Sequence, residues 1–388
     1  MPIPRRCLVL LLAIVCGIAG AQPADDTRPY AEGRHGPATL RYEAHIPVLK
    51  LYGTPAEMGE QAGRLIGESG ARGVRDYLAR ALVGPLRRLV LAKARQMEPH
   101  IPADYRAEMA AFAAASPLGE EELLLVNTFA DVKKLVRCTT IAVSRARSVE
   151  GTPLLGRNFD FPTLGVAERY ALVVVYHPRG KKSFASITHP GFIGTHSFLN
   201  EDGLAGAVME VPGGDPAFSP AAMPALMLYR RIAESAAEVA EALAILEHGP
   251  RCTSNNLMLA AASGDAALAE FSVRRMAVRR PENGLLFGTN HHRAPEMCAG
   301  PDDAPSWCPR MRYLLEAAGR AETPWSVESV KTHLARTAQG SLNIYSMVLL
   351  PEHRAVHLAA GSLPAARGPF VLLDRACLFG PALGRRRL

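Results

Sequence analysis

Val136-Arg137-Cys138-Thr139-Thr140-Ile141-Ala142-Val143 and, after a turn, Leu154-Leu155-Gly156-Arg157-Asn158-Phe159-Asp160 decide how this chain folds. Upstream of Cys138 the pattern from Thr54 to about residue 134 is helical. Thr54-Pro55-Ala56-Glu57 supplies an N-cap hydroxyl, a proline at the first helical position and an acidic first turn. Further helical runs cover residues 73–96, 103–115 and 120–135, and few residues there favour strands. At Cys138 the character changes. Residues 139–143 alternate and are β-prone, 148–153 hold turn residues, and 154–161 read as a returning strand. Antiparallel pairing about a turn near residue 150 sets Cys138 opposite the region of residue 160. A thiol, a guanidinium (Arg157) and a carboxylate (Asp160) then share one corner of a sheet. Arg157 and Asp160 have opposite parity along a strand, so both face the cysteine only where a bulge or strand end intervenes.

Working outward, strands are predicted at 172–176, 183–188 and 203–210, then a helical stretch at 222–246. Strands follow at 256–261, 266–272 and 276–278, helices at 310–319 and 326–336, and closing strands at 344–350, 355–360 and 370–373. Residues 22–50 carry proline and charge and turn apolar at 45–51, a first strand. A helical third followed by strands, helices and strands predicts an α+β sandwich with helices on largely antiparallel sheets.

The chemistry suits the cluster. A cysteine with a pKa of about 8.5 is mostly protonated at neutral pH and needs activation. A free α-amine, with a pKa near 8, takes the thiol proton when both groups belong to one residue. That requires Cys138 to become an N-terminus, and its thiol can itself attack the Arg137 carbonyl and form an ester that water opens. Asp160 would hold the ammonium and Arg157 would favour the thiolate. Residue types alone leave a second reading open: a buried structural cysteine, followed by a surface Arg/Asp pair.

Cys138-Thr139-Thr140 at a helix-to-strand boundary, followed by Gly156-Arg157-Asn158-Phe159-Asp160, resembles the N-terminal-nucleophile cysteine hydrolases. These comprise the isopenicillin-N acyltransferase family (peptidase family C45), the choloylglycine or bile-salt hydrolases and acid ceramidase. Residues 54–63 are similar to the Met-Gly helix start of the acyltransferase-like prosegment, and Asn200-Glu201-Asp202-Gly203-Leu204 resembles a pocket-wall turn. Gly288-Thr289-Asn290-His291 is similar to the family's Thr-Asn segment, and residues 306–314 resemble its arginine-bearing helix. The resemblance runs from about residue 48 to 375, best at 138–161 and 285–315. It implies a four-layer αββα sandwich, with a helical prosegment (22–137) and a catalytic chain (138–388) that stay associated after self-cleavage. It implies Cys138 as nucleophile and base, Arg157 and Asp160 as its tuning and orienting groups, and Asn290 as an oxyanion donor. Arg312 is the second positive group, with Arg310 the alternative register. The implied reaction is hydrolysis of a linear amide through a thioester, transfer of the same acyl group to an amine being the alternative. A non-catalytic secreted binding protein of the same fold is the rival from another class. One departure stands out: Glu210 occupies the position where bile-salt hydrolases carry an oxyanion asparagine, which favours the acyltransferase-like branch.

Composition agrees with a globular chain of 388 residues, 48% hydrophobic and 21% charged. Arg5-Arg6, an apolar run over 7–18 and Ala19-Gly20-Ala21 read as a Sec-type leader (1–21) cut before Gln22, too short for a bilayer span of roughly 20 residues. The expected location is therefore secreted or periplasmic, with no integral membrane segment in the mature protein. The formal charge of +7 falls by two without the leader and forms no stripe beyond 385–387, so nucleic acid is not an expected partner. The expected partner is a small acyl amide. Five cysteines follow the leader, an odd number that leaves one thiol over, and Cys298 and Cys308 are spaced for a small loop. No spacing resembles a zinc site, His291-His292 included, so no metal and no cofactor is expected. Arg251-Cys252-Thr253 repeats the Arg-Cys-Thr pattern without the following Arg-Asn-x-Asp strand, and reads as structural.

Overall fold

A computed structural model describes residues 28–132, 137–213, 216–298, 308–320 and 324–380; the expected leader lies outside them. The described chain opens with three strands, β1 (Gly33–His35), β2 (Ala38–Glu43) and β3 (Ile46–Gly53). Helices α1 (Pro55–Ala81), α2 (Pro85–Met97), α3 (Ala103–Ala115) and α4 (Glu120–Val132) follow. Next come β4 (Arg137–Val143), β5 (Leu154–Asp160), β6 (Leu172–Pro178), β7 (Phe184–Thr188), β8 (Ser197–Asn200) and β9 (Leu204–Glu210). Helices α5 (Ala225–Ser235) and α6 (Val239–His248) precede β10 (Asn255–Ala261), β11 (Ala266–Phe271), β12 (Met276–Arg279) and β13 (Leu285–Gly288). The chain closes with α7 (Pro309–Arg320), α8 (Val327–Thr337), β14 (Asn343–Leu350), β15 (Ala355–Ala360), β16 (Val371–Leu373) and a short α9 (Arg375–Phe379).

Among the described residues the strands form two sheets. One has ten strands in the order β1-β2-β3-β6-β7-β8-β9-β10-β11-β12, the other six in the order β13-β4-β5-β14-β15-β16. The pairing is antiparallel throughout except where β3 lies parallel to β6. Three buried clusters define the layers. Val173, Val175, Ala205, Ala207 and Met258 of the larger sheet meet Ala142, Leu155, Met347 and Leu358 of the smaller one. The other face of the larger sheet, including Leu49, Val174 and Leu257, buries the apolar faces of α1 to α6. The outer face of the smaller sheet, including Ile141, Leu154 and Val348, packs under Met311 and Leu314 of α7 and Val330 and Leu334 of α8. Strands covered on both faces explain why β5 is buried at every position instead of alternating with polar residues. This is the expected four-layer αββα sandwich.

The predicted cap of α1 is a full capping box: Thr54 Oγ1 accepts from Glu57 N at 3.3 Å and Glu57 Oε2 from Thr54 N at 2.6 Å. Two residues on, Gly59 lets α1 and α3 approach closely, since a Cβ there would stand 2.1 Å from the Glu108 carbonyl oxygen. The segment before Cys138 is less purely helical than expected, because β1, β2 and β3 extend the larger sheet. The helical stretch at 73–96 is broken at Gly84, whose φ of 57° precedes Pro85. A buried ion pair also ties this segment to the rest: Arg230 of α5 donates through Nη1 and Nη2 to Glu108 of α3, at 2.9 and 2.6 Å. All five described cysteines are free thiols. Cys308 Sγ faces Thr289 Oγ1 at 3.8 Å and Cys298 Sγ faces the His292 carbonyl at 3.8 Å, so the spacing of these two cysteines does not bring them together as a disulfide. No helix among the described residues is long and apolar enough to cross a membrane.

Candidate active site

β4 and β5 pair in the register Cys138↔Phe159, Arg137↔Asp160 and Thr140↔Arg157, close to the expected opposition of residues 138 and 160. Directly opposed residues share a face, so Cys138, Phe159 and Arg157 all point between the two sheets. Each residue of the Gly-Arg-Asn-Phe-Asp stretch has its own task. Gly156 lets α8 lie against the sheet, since a Cβ there would come within 2.5 Å of Val330 Cγ1. Asn158, on the outer face, donates from Nδ2 to the Leu334 carbonyl at 2.7 Å and holds the end of that helix. Arg157 points inward, donates from Nη1 to the Val208 carbonyl, and lies 5.2 Å over the Phe159 ring. Asp160 has the opposite parity, that of Asn158, and its carboxylate meets Gln339 just past α8 and Asn343, beside which the β5–β14 register shifts between Asn343 and Tyr345.

Cys138 is fully buried and exposed Arg137 precedes it. Its backbone N–H donates to Asn290 Oδ1 at 2.6 Å, and Asn290 Nδ2 donates to the Glu210 carbonyl at 2.8 Å. Asn290 thus meets the nitrogen of the candidate nucleophile through its oxygen, a positioning contact that the sequence reading did not include. Arg310 bridges the same group: Nη1 donates to the Cys138 carbonyl and, at 3.1 Å, to Thr139 Oγ1, while Nη2 donates to Asn290 Oδ1 at 3.1 Å. Of the two expected registers, the structure brings Arg310, not Arg312, to Cys138. Residues two apart on a helix point about 200° apart, and Arg312 faces solvent. We expect Arg310→Met to slow the reaction at Cys138 by about 10²-fold or more, on the scale of losing one preorganised donor. Arg312→Met should leave rate and unfolding midpoint essentially unchanged, and rate assays with urea unfolding of both variants check the pair.

Electrostatics mark the corner as unfinished. Burial pushes the Cys138 thiol up to about 11; Arg157 and Arg310 oppose this, while Asp160 and Glu210 add to it. Burial also raises the Asp160 carboxyl to about 6, against the Gln339 amide, Arg310, Asn343 and Arg157. Asp160 Oδ1 accepts from Asn343 Nδ2 at 2.9 Å and Gln339 N at 3.3 Å, yet buried Oδ2 has no partner. Arg157 Nε and Nη2 are likewise buried without partners. Most buried polar atoms are hydrogen-bonded, so three orphans in one corner require an explanation.

Beside the corner lie two adjacent spaces that share Ala130, Phe159 and His196 in their linings. A small niche of about 10 Å³ is bordered by Asp131, Phe159, His196, Glu210 and Asn255. A larger apolar cavity of about 60 Å³ is bordered by Tyr77, Phe129, Phe159, Phe161, Phe192 and His196, among others. The segments 159–164 and 192–198 contribute cavity wall through Phe159, Phe161, Phe192 and His196. Tyr77 and Phe129 come from α1 and α4, so residues on both sides of the Arg137–Cys138 bond enclose this space. Gln339, Asn343 and His196 were not anticipated; each is far in sequence from the Cys138 hairpin and belongs to no short motif. Arg251 donates to the Leu246, Glu247 and Ser272 carbonyls, and Cys252 beside it is buried, which bears out a structural role for that second Arg-Cys-Thr.

A four-layer αββα sandwich with a buried cysteine at the head of a strand, its backbone held by Asn290 and Arg310, agrees with the resemblance to the N-terminal-nucleophile cysteine hydrolases. Residues 147–335, just under half of the chain, match the family model described as acyl-coenzyme A:6-aminopenicillanic acid acyl-transferase; the matched stretch contains Arg157, Asp160, Asn290 and Arg310 and begins downstream of Cys138. An uncharacterized protein of Archaeoglobus fulgidus is 25% identical over 303 residues, covering 64% of this chain. The chain spans about half (51%) of that relative's length. Among solved structures, a Caenorhabditis elegans ortholog of N-acylethanolamine-hydrolyzing acid amidase aligns with a TM-score of 0.46 and 14% identity, over 55% of this chain and 93% of its own. A conjugated bile acid hydrolase from Clostridium perfringens (TM-score 0.42, 13% identity) covers 61% and 92% respectively. Penicillin V acylase from Agrobacterium tumefaciens (TM-score 0.40, 17% identity) covers 57% and 82%.

Proposed function

We propose that the chain is a self-processing cysteine amidohydrolase that cleaves a linear amide carrying an apolar acyl group. The observation that carries this reading is the set of orphaned groups around Cys138: a buried carboxylate oxygen and two buried guanidinium nitrogens, with the Cys138 nitrogen held on Asn290. A liberated α-ammonium supplies the partner that Asp160 lacks, and a thiolate supplies the one that Arg157 lacks. In the uncut chain, Cys138 Sγ attacks the Arg137 carbonyl carbon, the Cys138 nitrogen takes a proton as the C–N bond breaks, and water opens the resulting thioester. Arg137 leaves with a carboxylate and Cys138 keeps a free amine.

In the processed chain that amine takes the thiol proton and Sγ attacks the substrate acyl carbon. The ammonium then returns the proton to the leaving nitrogen, the amine product departs, and the acyl group remains as a thioester. Water, losing a proton to the amine, releases the carboxylic acid and restores the thiol. Asn290 donates to the oxyanion, Asp160 and Arg310 position the amine and backbone of Cys138, and the apolar cavity takes the acyl group. The parallel β3–β6 ladder and the buried Arg230–Glu108 pair keep the two chains associated. A leader at 1–21 would deliver the protein outside the cytoplasm. The family match also favours a second reading, in which an amine intercepts the same acyl-enzyme instead of water.

The test is a mass and end-group measurement. The larger fragment should begin Cys-Thr-Thr-Ile, and incubation with a panel of N-acyl amides should add an acyl mass to it that hydroxylamine removes. One uncut chain that acquires no adduct would end the proposal.

A further inference from the structure

The wall between the niche and the apolar cavity carries an imidazole whose Nδ1 nothing in the protein satisfies. His196 leads into β8, is 6% exposed, and borders both spaces. Its ring lies 5.1 Å from the centroids of Phe159 and of Phe192, tilted against the first and edge-on to the second. Other polar groups of the same wall are engaged: the Tyr77 hydroxyl donates to the Pro162 carbonyl at 3.2 Å, and His189 Nε2 meets the Ala167 carbonyl at 3.1 Å. His196 Nδ1, by contrast, is buried without a partner. A polar atom kept in such a wall is costly unless something arriving with the ligand completes it.

The surroundings restrict what that something is. Burial, the nearby Arg157 guanidinium and His189 hold the His196 pKa well below its ordinary value, so the ring stays neutral at working pH. A neutral imidazole offers one donor and one acceptor. A cationic ligand group would lie close to Arg157, and a carboxylate would call for a charged ring. A hydroxyl fits, because it both donates and accepts. Its place on the ligand also follows: Phe159 stands directly across the ladder from Cys138 and touches the His196 ring, so His196 lies one side chain from the sulfur.

We infer that His196 makes this site selective for acyl groups that bear a hydroxyl close to the carbonyl on an otherwise apolar body. This deepens the acyl-site reading above and rests on it. The ligand pair that tests it is N-methyl hexanamide and its 3-hydroxy counterpart, titrated calorimetrically into the full-length chain carrying Cys138→Ala, which cannot turn them over. The hydroxylated amide should bind about tenfold to a hundredfold tighter, the range expected when a buried polar group gains its partner. His196→Phe in the same background should remove that preference, bringing the ratio of the two affinities to about one. Equal affinities in the His196 parent, a preference that persists in His196→Phe, or no binding of either ligand would each overturn the inference. Should His196→Phe fail to fold, the parent's affinity ratio still decides, and the ¹⁵N shift of the His196 ring must move with the hydroxylated amide and not with the plain one. The amidase reading fails separately: a wild-type chain that shows the preference yet forms no acyl adduct on Cys138 refutes the chemistry and leaves the recognition role intact.

Discussion

Cys138→Ala is expected to leave a single uncut chain and to lower amide hydrolysis by about 10⁴-fold or more, since removing a nucleophile that works as a unit with its base costs on that order. In the proposed mechanism both losses come from one atom, because there the same sulfur opens the Arg137–Cys138 bond and carries the acyl group. Stability should move far less. Cys138 is fully buried beside Ala142 and Leu155, and alanine there loses one sulfur from an inter-sheet core built largely of aliphatic side chains. Cys138→Ser separates the two uses, retaining an attacking atom of lower nucleophilicity and so slowing both steps without removing either. Denaturing gels, intact mass and a hydrolysis assay on the three proteins check the set. If Cys138→Ala is still cut at residue 137, or still hydrolyses amides at the wild-type rate, the nucleophile lies elsewhere.

The parts of this site that the sequence displays are those joined by a short hairpin. Cys138, Arg157 and Asp160 sit on two strands with one turn between them, so strand parity and turn position alone bring them within a residue of their observed register. The register shift at Asn343, beside Asp160, is imposed by β14, which pairs with β5 from far along the sequence and leaves no local mark. Arg310 and Arg312 illustrate a different limit. Both are Arg on the first turns of α7, and only the helix start at Pro309 decides which of two opposite faces meets Cys138. Strands β1, β2, β8 and β13 were missed because each is short and draws its strand character from sheet neighbours rather than from its own alternation. Phe159, Phe161 and Phe192 show the deepest limit. Apolar side chains lining a cavity have the same composition as apolar side chains in a core, and only their arrangement distinguishes the two.

Asp160 gives the second large effect, and its sign depends on whether the chain is cut. In the uncut protein its carboxyl is raised to about 6 from an ordinary 3.8, so between those values the folded state holds a proton that the unfolded chain lacks. Its contribution to stability is then complete below about pH 4 and is lost as pH rises through about 6. The groups facing it are Arg310 from α7, Arg157 on its own strand, and the neutral Asn343 and Gln339. The proposed cleavage would add an ammonium on Cys138, next to the residue paired with Asp160, and a nearby positive charge lowers a carboxyl pKa. The urea midpoint of uncut Cys138→Ala should accordingly fall from pH 4 to pH 6. The midpoint of Cys138→Ala with Asp160→Asn should lack that fall, and the processed wild type should show it shifted to lower pH. On activity, Asp160→Asn in the wild-type background leaves the ammonium without its counter-charge, favours the free amine too early, and should reduce kcat/KM by about 10²–10⁴-fold, the range ascribed to a positioned acid–base partner. The same substitution should move the acidic limb of the pH–rate profile, which a merely structural residue would not do. An unchanged limb, together with an identical midpoint slope in the uncut single and double variants, would remove Asp160 from the proton chemistry and leave the amine of Cys138 to be oriented by Asn290 alone.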